Sequence, residues 1–260
     1  MAQPTTESRK QSPPQPKPKR KGLNAKQVEE MLVGVFGEDV HAKRVFSLAQ
    51  ATLGVIHGAS LGIHAIGAGL ASAQGLNPKH AVKQVDRLLS NAGVDVWTLF
   101  DSWVLSAIGP RMEIVAALDW TEFDSDDHST IALHLVTAHG RATPLLWLTV
   151  KKSELKDRRN EYEDKLLVKL HEILPPEVKV LILADRGFGD QKLFQFLKEL
   201  GLNFLIRFRG DIYVSNAAGE RRKAKEWLSP SGRPVTLRKA KITADQCPVE
   251  TVVCVSGTDK

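Results

Sequence analysis

Residues 112–121 read M-E-I-V-A-A-L-D-W-T, and residues 178–185 read V-K-V-L-I-L-A-D. Each is a short apolar run that ends on one carboxylate, Asp119 in the first and Asp185 in the second. Runs of this length with β-branched residues predict buried strands. Working outward, a strand over 113–121 is followed by an acidic turn over 122–128 and a strand over 130–138. His139-Gly140-Arg141 makes a tight turn into a strand over 142–150. A helix ending at Leu174 is stopped by Pro175-Pro176, which cannot continue it. The strand over 178–185, a helix over 191–200 closed by Gly201, and a strand over 203–208 complete the series. The order β-β-β-α-β-α-β is an antiparallel meander followed by two αβ units. It predicts an α/β fold with a mixed sheet covered by helices.

In that order the first and fourth strands can lie side by side, which brings Asp119 and Asp185 together. Magnesium takes few carboxylate oxygens per ion and keeps water or phosphate oxygens for the rest. Two such ions about 3.5–4 Å apart stabilise the attacking and leaving oxygens of a phosphodiester displacement. A lone Asp at a strand end is ordinarily a turn former or cap. A matched pair on neighbouring strands points to metal ligation by Asp119 and Asp185. Asp124, Asp126 and Asp127 cluster in the predicted hairpin turn and read as solvated turn formers. His128, His134 and His139 show no metal-binding spacing.

The chain has 260 residues, with 42% apolar, 25% charged and a net charge of +6. This composition is that of a globular protein, and the basic excess fits a nucleic-acid partner. Residues 1–22 form a basic tail: positions 1–21 hold five prolines and six basic residues against one acid. With almost no large apolar side chains the tail is expected to be disordered. Four helices follow. Asn24 caps one ending at Phe36, a second runs over 42–57 and ends at Gly58, and Ser60 caps a third. Asn77-Pro78 starts the fourth. That helix carries Lys79, Lys83 and Arg87 on one stripe, with Val82, Val85, Leu88 and Leu89 turned inward. The spacing fits either a helix-turn-helix DNA reader or a bundle helix whose polar face is solvated. No Lys, Arg, Asp or Glu occurs over 45–78, but scattered polar residues and glycines favour buried helices over a membrane span. Cys247 and Cys254 have no metal spacing and read as free thiols. Past Gly210 a β-rich region begins.

On the motifs A-L-D-W-T (117–121) and L-I-L-A-D-R-G-F (181–188), the sequence resembles the DDE transposases of bacterial insertion sequences, of the insertion-sequence-four type. The segments R-R-N-E-Y-E-D-K-L-L (158–167), N-F-L-I-R-F-R-G (203–210) and H-A-V-K-Q-V-D-R-L-L-S-N (80–91) extend the likeness. The resemblance implies a ribonuclease-H-like catalytic core over 109–210, interrupted by a β-rich insertion that starts at 211–260. It further implies an N-terminal helical DNA-binding domain over 23–108. Asp119 and Asp185 would be the first two members of the acidic triad, holding Mg2+ or Mn2+. Arg186, Arg207 and Arg209 would lie near the DNA backbone, where a guanidinium fork suits phosphate.

The family's third acid stands in the pattern Tyr-x2-Arg-x3-Glu-x6-Lys. The near match here, Tyr213 with Glu220, has Asn216 for Arg and Trp227 for Lys, and it falls in a predicted hairpin turn. The chain therefore reads as truncated inside the insertion, with weak or no cleavage of its own. The implied partner is double-stranded DNA at element ends, with a possible homodimer, no membrane, and a cytoplasmic, nucleoid-associated location. Two other readings stay open: a non-catalytic DNA-binding fragment that occupies ends or inhibits intact transposase, and a nuclease on the same core.

Overall fold

In the computed structural model, residues 23–138 and 140–256 are described. The expected tail disorder, the turn position His139 and the last four residues lie outside them. The chain divides into two compact units after Val94.

The first unit is built from α1 (Ala25–Phe36), α2 (Ala42–Gly58), α3 (Ile63–Gln74) and α4 (Pro78–Leu89). Asn24 and Gln27 form a reciprocal capping box on α1, and Asn77 caps α4 ahead of Pro78. α3 is capped at Gly62 rather than at Ser60; the Ser60 hydroxyl instead accepts from the Gly62 N–H at 3.3 Å. The end of α2 also differs from expectation. Gly58 is its last helical residue, and Ala59 takes the left-handed conformation at φ 46°. Gly58 is needed for close approach instead: a Cβ there would sit 2.7 Å from the Ala65 carbonyl oxygen. Likewise a Cβ on Gly69 would lie 2.3 Å from the Gly54 carbonyl oxygen and 2.7 Å from the Gly58 nitrogen. The glycines let the α2 and α3 backbones touch. Val28, Leu32, Val45, Leu53, Leu70, Ala81 and Val85 fill the core of this unit. Leu89, expected inward, is 61% exposed, because α4 is ending there and its inward stripe closes on Leu88. No single helix among the described residues is long and apolar enough to cross a membrane; α2 and α3 are bent by 93°.

The second unit opens with α5 (Val96–Ile108), capped by Asp95. α5 packs on the unit's sheet through Phe100, edge-on to Trp147 at 4.7 Å, and through the Trp103 indole, which donates to the Pro144 carbonyl at 2.9 Å. β1 (Glu113–Phe123), β2 (His128–Leu135), β3 (Thr143–Lys151), α6 (Arg159–Ile173), β4 (Lys179–Ala184), α7 (Gln191–Glu199) and β5 (Asn203–Ile206) follow in chain order. The five strands form one mixed sheet in the order β3-β2-β1-β4-β5. β1–β2 and β2–β3 are antiparallel, while β1–β4 and β4–β5 are parallel. Pro144 sits on the outer strand β3, at the irregularity in its pairing with β2, a position where proline is tolerated. β1 runs to Phe123, longer than expected, because the hairpin to β2 needs only residues 124–127.

Leu118, Ile131, Leu133, Leu146, Leu166, Leu170, Ile182 and Leu197 lie in one buried cluster. A smaller antiparallel sheet follows, of β6 (Tyr213–Ser215), β7 (Arg221–Lys223), β8 (Val235–Ile242) and β9 (Cys247–Cys254), in the order β7-β6-β8-β9. Its inner face, with Val214, Leu237, Ile242 and Val252, joins the same cluster. Both cysteines are free thiols on β9.

Candidate active site

β1 and β4 run parallel, and their register ends with Leu118 opposite Ala184. The next residues on the two strands are Asp119 and Asp185. Asp185 is still extended, at φ −83° and ψ −175°, so the alternation of the strand carries through it. In β1, Ile114, Ala116 and Leu118 are buried, and in β4, Val180 and Ile182. Asp119 and Asp185 therefore share the opposite face, side by side at the C-terminal end of the parallel pair.

The side chains flanking Asp119 show what lies on the other face. Trp120 donates its indole N–H to Glu163 on α6 at 2.9 Å, and the Arg159 guanidinium lies 5.1 Å above the Trp120 ring. Glu122, two residues on, pairs with Arg159 at 2.6 Å and Lys152 at 3.2 Å, and accepts from the Ser129 hydroxyl. α6 thus covers the face that Trp120 and Glu122 use. Asp119 points away from it, exposed and free of ion pairs among the described residues.

Asp185 is fixed at one oxygen. Its Oδ1 accepts from the Gly187 N–H at 2.7 Å, which leaves Oδ2 available. A Cβ on Gly187 would come 3.0 Å from that same Oδ1, so a larger residue there would press on the carboxylate. The face around Asp119 carries His134, diagonal to it through the Ala117–His134 pair, and Ala132 directly across. His134 was assigned no role by spacing; only the β1–β2 register brings it near. Sequence reasoning also passed over Trp120, Glu122 and Glu163. Alternation turns Trp120 and Glu122 to the face opposite Asp119, but their pairing with α6 leaves no local signal.

Asp190 caps α7 and accepts from Asn160 of α6 at 2.9 Å. Asp124, in the hairpin turn, pairs with Lys152, and Asp127 is left-handed at φ 53°. Their turn roles account for them. Arg186 is exposed in the turn after Asp185. Arg207 and Arg209 are exposed too, but they follow β5 rather than lying on it; the Arg207 N–H donates to the Ala184 carbonyl at 3.2 Å. The three arginines thus leave from the same end of the sheet as the carboxylates. Lys79, Lys83 and Arg87 are exposed along α4 in the first unit.

Glu220 belongs to the β6–β7 hairpin and pairs with Arg222. Its N–H donates to the Asn216 side chain at 2.9 Å. Among the described residues no group of three or more His, Cys, Asp or Glu is placed to share a metal ion.

The network behind Trp120 has its own electrostatics. The Ser129 hydroxyl, with Arg159 and Lys152, lowers the Glu122 pKa to about 2. Burial raises that of Glu163, against the opposing pull of the Trp120 N–H. A raised folded-state pKa means that Glu163 contributes stability below its unfolded value, lost as pH rises through the folded one. Glu163→Gln keeps an acceptor for Trp120 and removes that loss. Urea titrations at pH 5 and 8 are therefore expected to show a smaller pH dependence in this variant than in the parent. Glu163→Ala strands a half-buried indole N–H and is expected to cost about 1–3 kcal/mol at either pH.

A family model described as a transposase DDE domain matches residues 111–253, more than half of the chain. A search of the curated proteins finds no match.

Proposed function

The chain belongs to the transposase DDE-domain family, and we propose that it is an insertion-sequence transposase whose Asp119 and Asp185 are the first two acids of the catalytic set. The observation that carries this is the parallel register that sets the two carboxylates on one face at one strand end. The donor set suits a hard divalent ion: two carboxylates, one with an oxygen left over and one without an ion pair among the described residues. Mg2+ or Mn2+ bound there would supply Lewis acidity to a phosphodiester. The chain's own part is to hold the two carboxylates rigidly. Strand pairing fixes Asp119, the Gly187 N–H orients Asp185, and α6 locks the segment that follows Asp119 through Trp120 and Glu122.

We read the core as ribonuclease-H-like, with the sheet β6–β9 belonging to a β-rich insertion. The partner is double-stranded DNA at the element ends. Arg186, Arg207 and Arg209 would meet phosphates near the carboxylates, and Lys79, Lys83 and Arg87 would do so from the helical unit, which we assign to DNA binding. The site of action is then the cytoplasm, on the nucleoid. A homodimer would let one copy act on each element end.

The test is incubation of the chain with plasmid bearing the element's terminal sequences, in Mg2+ or Mn2+. The proposal predicts metal-dependent nicking at the ends, lost in Asp119→Ala. A second reading is favoured by the absence of a three-acid group among the described residues: a non-catalytic protein that occupies element ends or inhibits an intact transposase. End binding that survives Asp119→Ala, with no nicking in either metal, would select it. Hydrolysis without strand transfer would instead point to a nuclease on the same core.

A further inference from the structure

One turn of α6 reaches both segments that carry the aspartates. Glu163 accepts the Trp120 indole N–H at 2.9 Å, and Trp120 directly follows Asp119. Three residues earlier on the helix, the Asn160 side-chain amide donates to Asp190 Oδ2 at 2.9 Å. Positions three apart are neighbours on a helix surface. Asp190 closes the turn that begins at Asp185. Its N–H donates to the Phe188 carbonyl at 2.8 Å, and the Phe188 N–H donates to the Asp185 carbonyl at 3.2 Å. Asp190 Oδ1 meanwhile caps α7 by accepting from the Lys192 N–H at 3.1 Å. The two aspartates differ in what else holds them. The β1–β4 register ends at Leu118 and Ala184, one residue short of both. Asp119 is still carried by its pairing with Ala132 of β2, whereas Asp185 has left the sheet.

We infer that Asn160 is a positioning residue for Asp185, and that through it α6 sets the spacing of the two carboxylates to suit a small divalent ion over a large one. The inference rests on the transposase reading for the metal pair. Three features argue for it over an incidental surface bond. The Asn160–Asp190 bond ties the turn after β4 to the same helix that Trp120 and Glu163 tie to β1, so a shift of either strand end against the other breaks one of the two bonds. Asn160 also works against a repulsion. Asp164 stands one turn further along α6; burial raises its pKa, and the Asp190 charge raises it further. Without the amide, nothing holds the Asp190 carboxylate toward that charge. Finally, Phe188 anchors the middle of the turn in the core, so loss of the bond displaces the turn without melting it. Spacing matters because the ions differ in what they accept. Mg2+ demands near-ideal geometry at about 2.0–2.1 Å, whereas Ca2+ takes oxygens at about 2.3–2.6 Å in flexible arrangements.

The experiment is isothermal titration of the 260-residue chain with MgCl2 and with CaCl2. It compares the parent with Asn160→Ala and with the exchange variant Asn160→Asp plus Asp190→Asn. The exchange restores the hydrogen bond with donor and acceptor reversed, and asparagine caps a helix as aspartate does. Asn160→Ala is expected to weaken Mg2+ binding about 10-fold, the scale for losing a group that orients a metal ligand. Ca2+ binding should change less than about 3-fold, since that ion tolerates the looser site. The exchange variant should recover Mg2+ affinity to within about 3-fold of the parent's. Arg158→Ala, which breaks an exposed pair with Glu161 at the start of the same helix, should keep the parent's preference. Parent-like Mg2+ affinity in Asn160→Ala, equal losses for the two ions, no recovery on exchange, or the same loss in Arg158→Ala overturns the inference while leaving the transposase reading intact. Mg2+ binding that is absent from the parent, or that survives Asp119→Asn combined with Asp185→Asn, overturns both.

Discussion

Replacing Asp119 or Asp185 by asparagine is expected to weaken Mn2+ binding by the chain on the order of 100-fold or more, below detection in the double variant. Asparagine keeps the shape and one carbonyl oxygen but removes the charge that a hard divalent ion requires. Loss even of a residue supporting a metal ligand typically costs about 10–100-fold in affinity, so loss of a ligand's charge should cost at least as much. Isothermal titration with MnCl2 reads the effect directly. The two substitutions should not be alike in other respects. Asp185 also accepts from the Gly187 N–H at 2.7 Å, a bond that an asparagine carbonyl can retain, so the turn should survive. Asp119 is exposed and makes no ion pair among the described residues, so its replacement should leave thermal stability unchanged. An equal Mn2+ affinity in parent and double variant would mean that the ion binds elsewhere.

The second large effect concerns the helical unit. Gly69→Val is expected to destabilise that unit by at least about 3 kcal/mol, the upper end for overpacking. The new Cβ would meet the Gly54 carbonyl oxygen at 2.3 Å and the Gly58 nitrogen at 2.7 Å. These are backbone atoms of α2, which cannot swing aside as a flexible side chain could. All five tryptophans, at 97, 103, 120, 147 and 227, lie in the second unit. Tryptophan fluorescence therefore follows the sheet unit, and far-ultraviolet circular dichroism follows both. The variant should lose a helical transition at lower urea while the fluorescence transition stays in place. A circular-dichroism curve superimposable on the parent's would contradict the close α2–α3 contact.

The alternation of apolar residues was enough to find the strands that deliver the aspartates, because β1 and β4 are buried on one face and show it in their composition. It also gave the order in which strands and helices follow one another. It could not give the register. That Leu118 faces Ala184, and hence that the carboxylates stand abreast, is a long-range property set by how β1 and β4 slide together. His134 was passed over for the same reason, since its neighbour is chosen by the β1–β2 pairing. Glycines misled where two causes share one residue type. Gly58 was read as a helix terminator, but the terminating left-handed residue is Ala59, and Gly58 answers to the backbone of α3. The polar lock of Glu163, Trp120, Arg159 and Glu122 joins residues some forty positions apart and leaves no local pattern. Lys79, Lys83 and Arg87 were legible as an exposed stripe on α4, which helical periodicity alone determines.

The proposed chemistry requires that Asp119 and Asp185 jointly hold a divalent ion. The most direct measurement is a crystal of the chain soaked in MnCl2, with data collected at the manganese absorption edge. The expected result is an anomalous peak between the two carboxylates, within about 2.0–2.3 Å of an oxygen of each. An anomalous peak on other residues, or an ordered site with both carboxylates turned away from the metal, would contradict it.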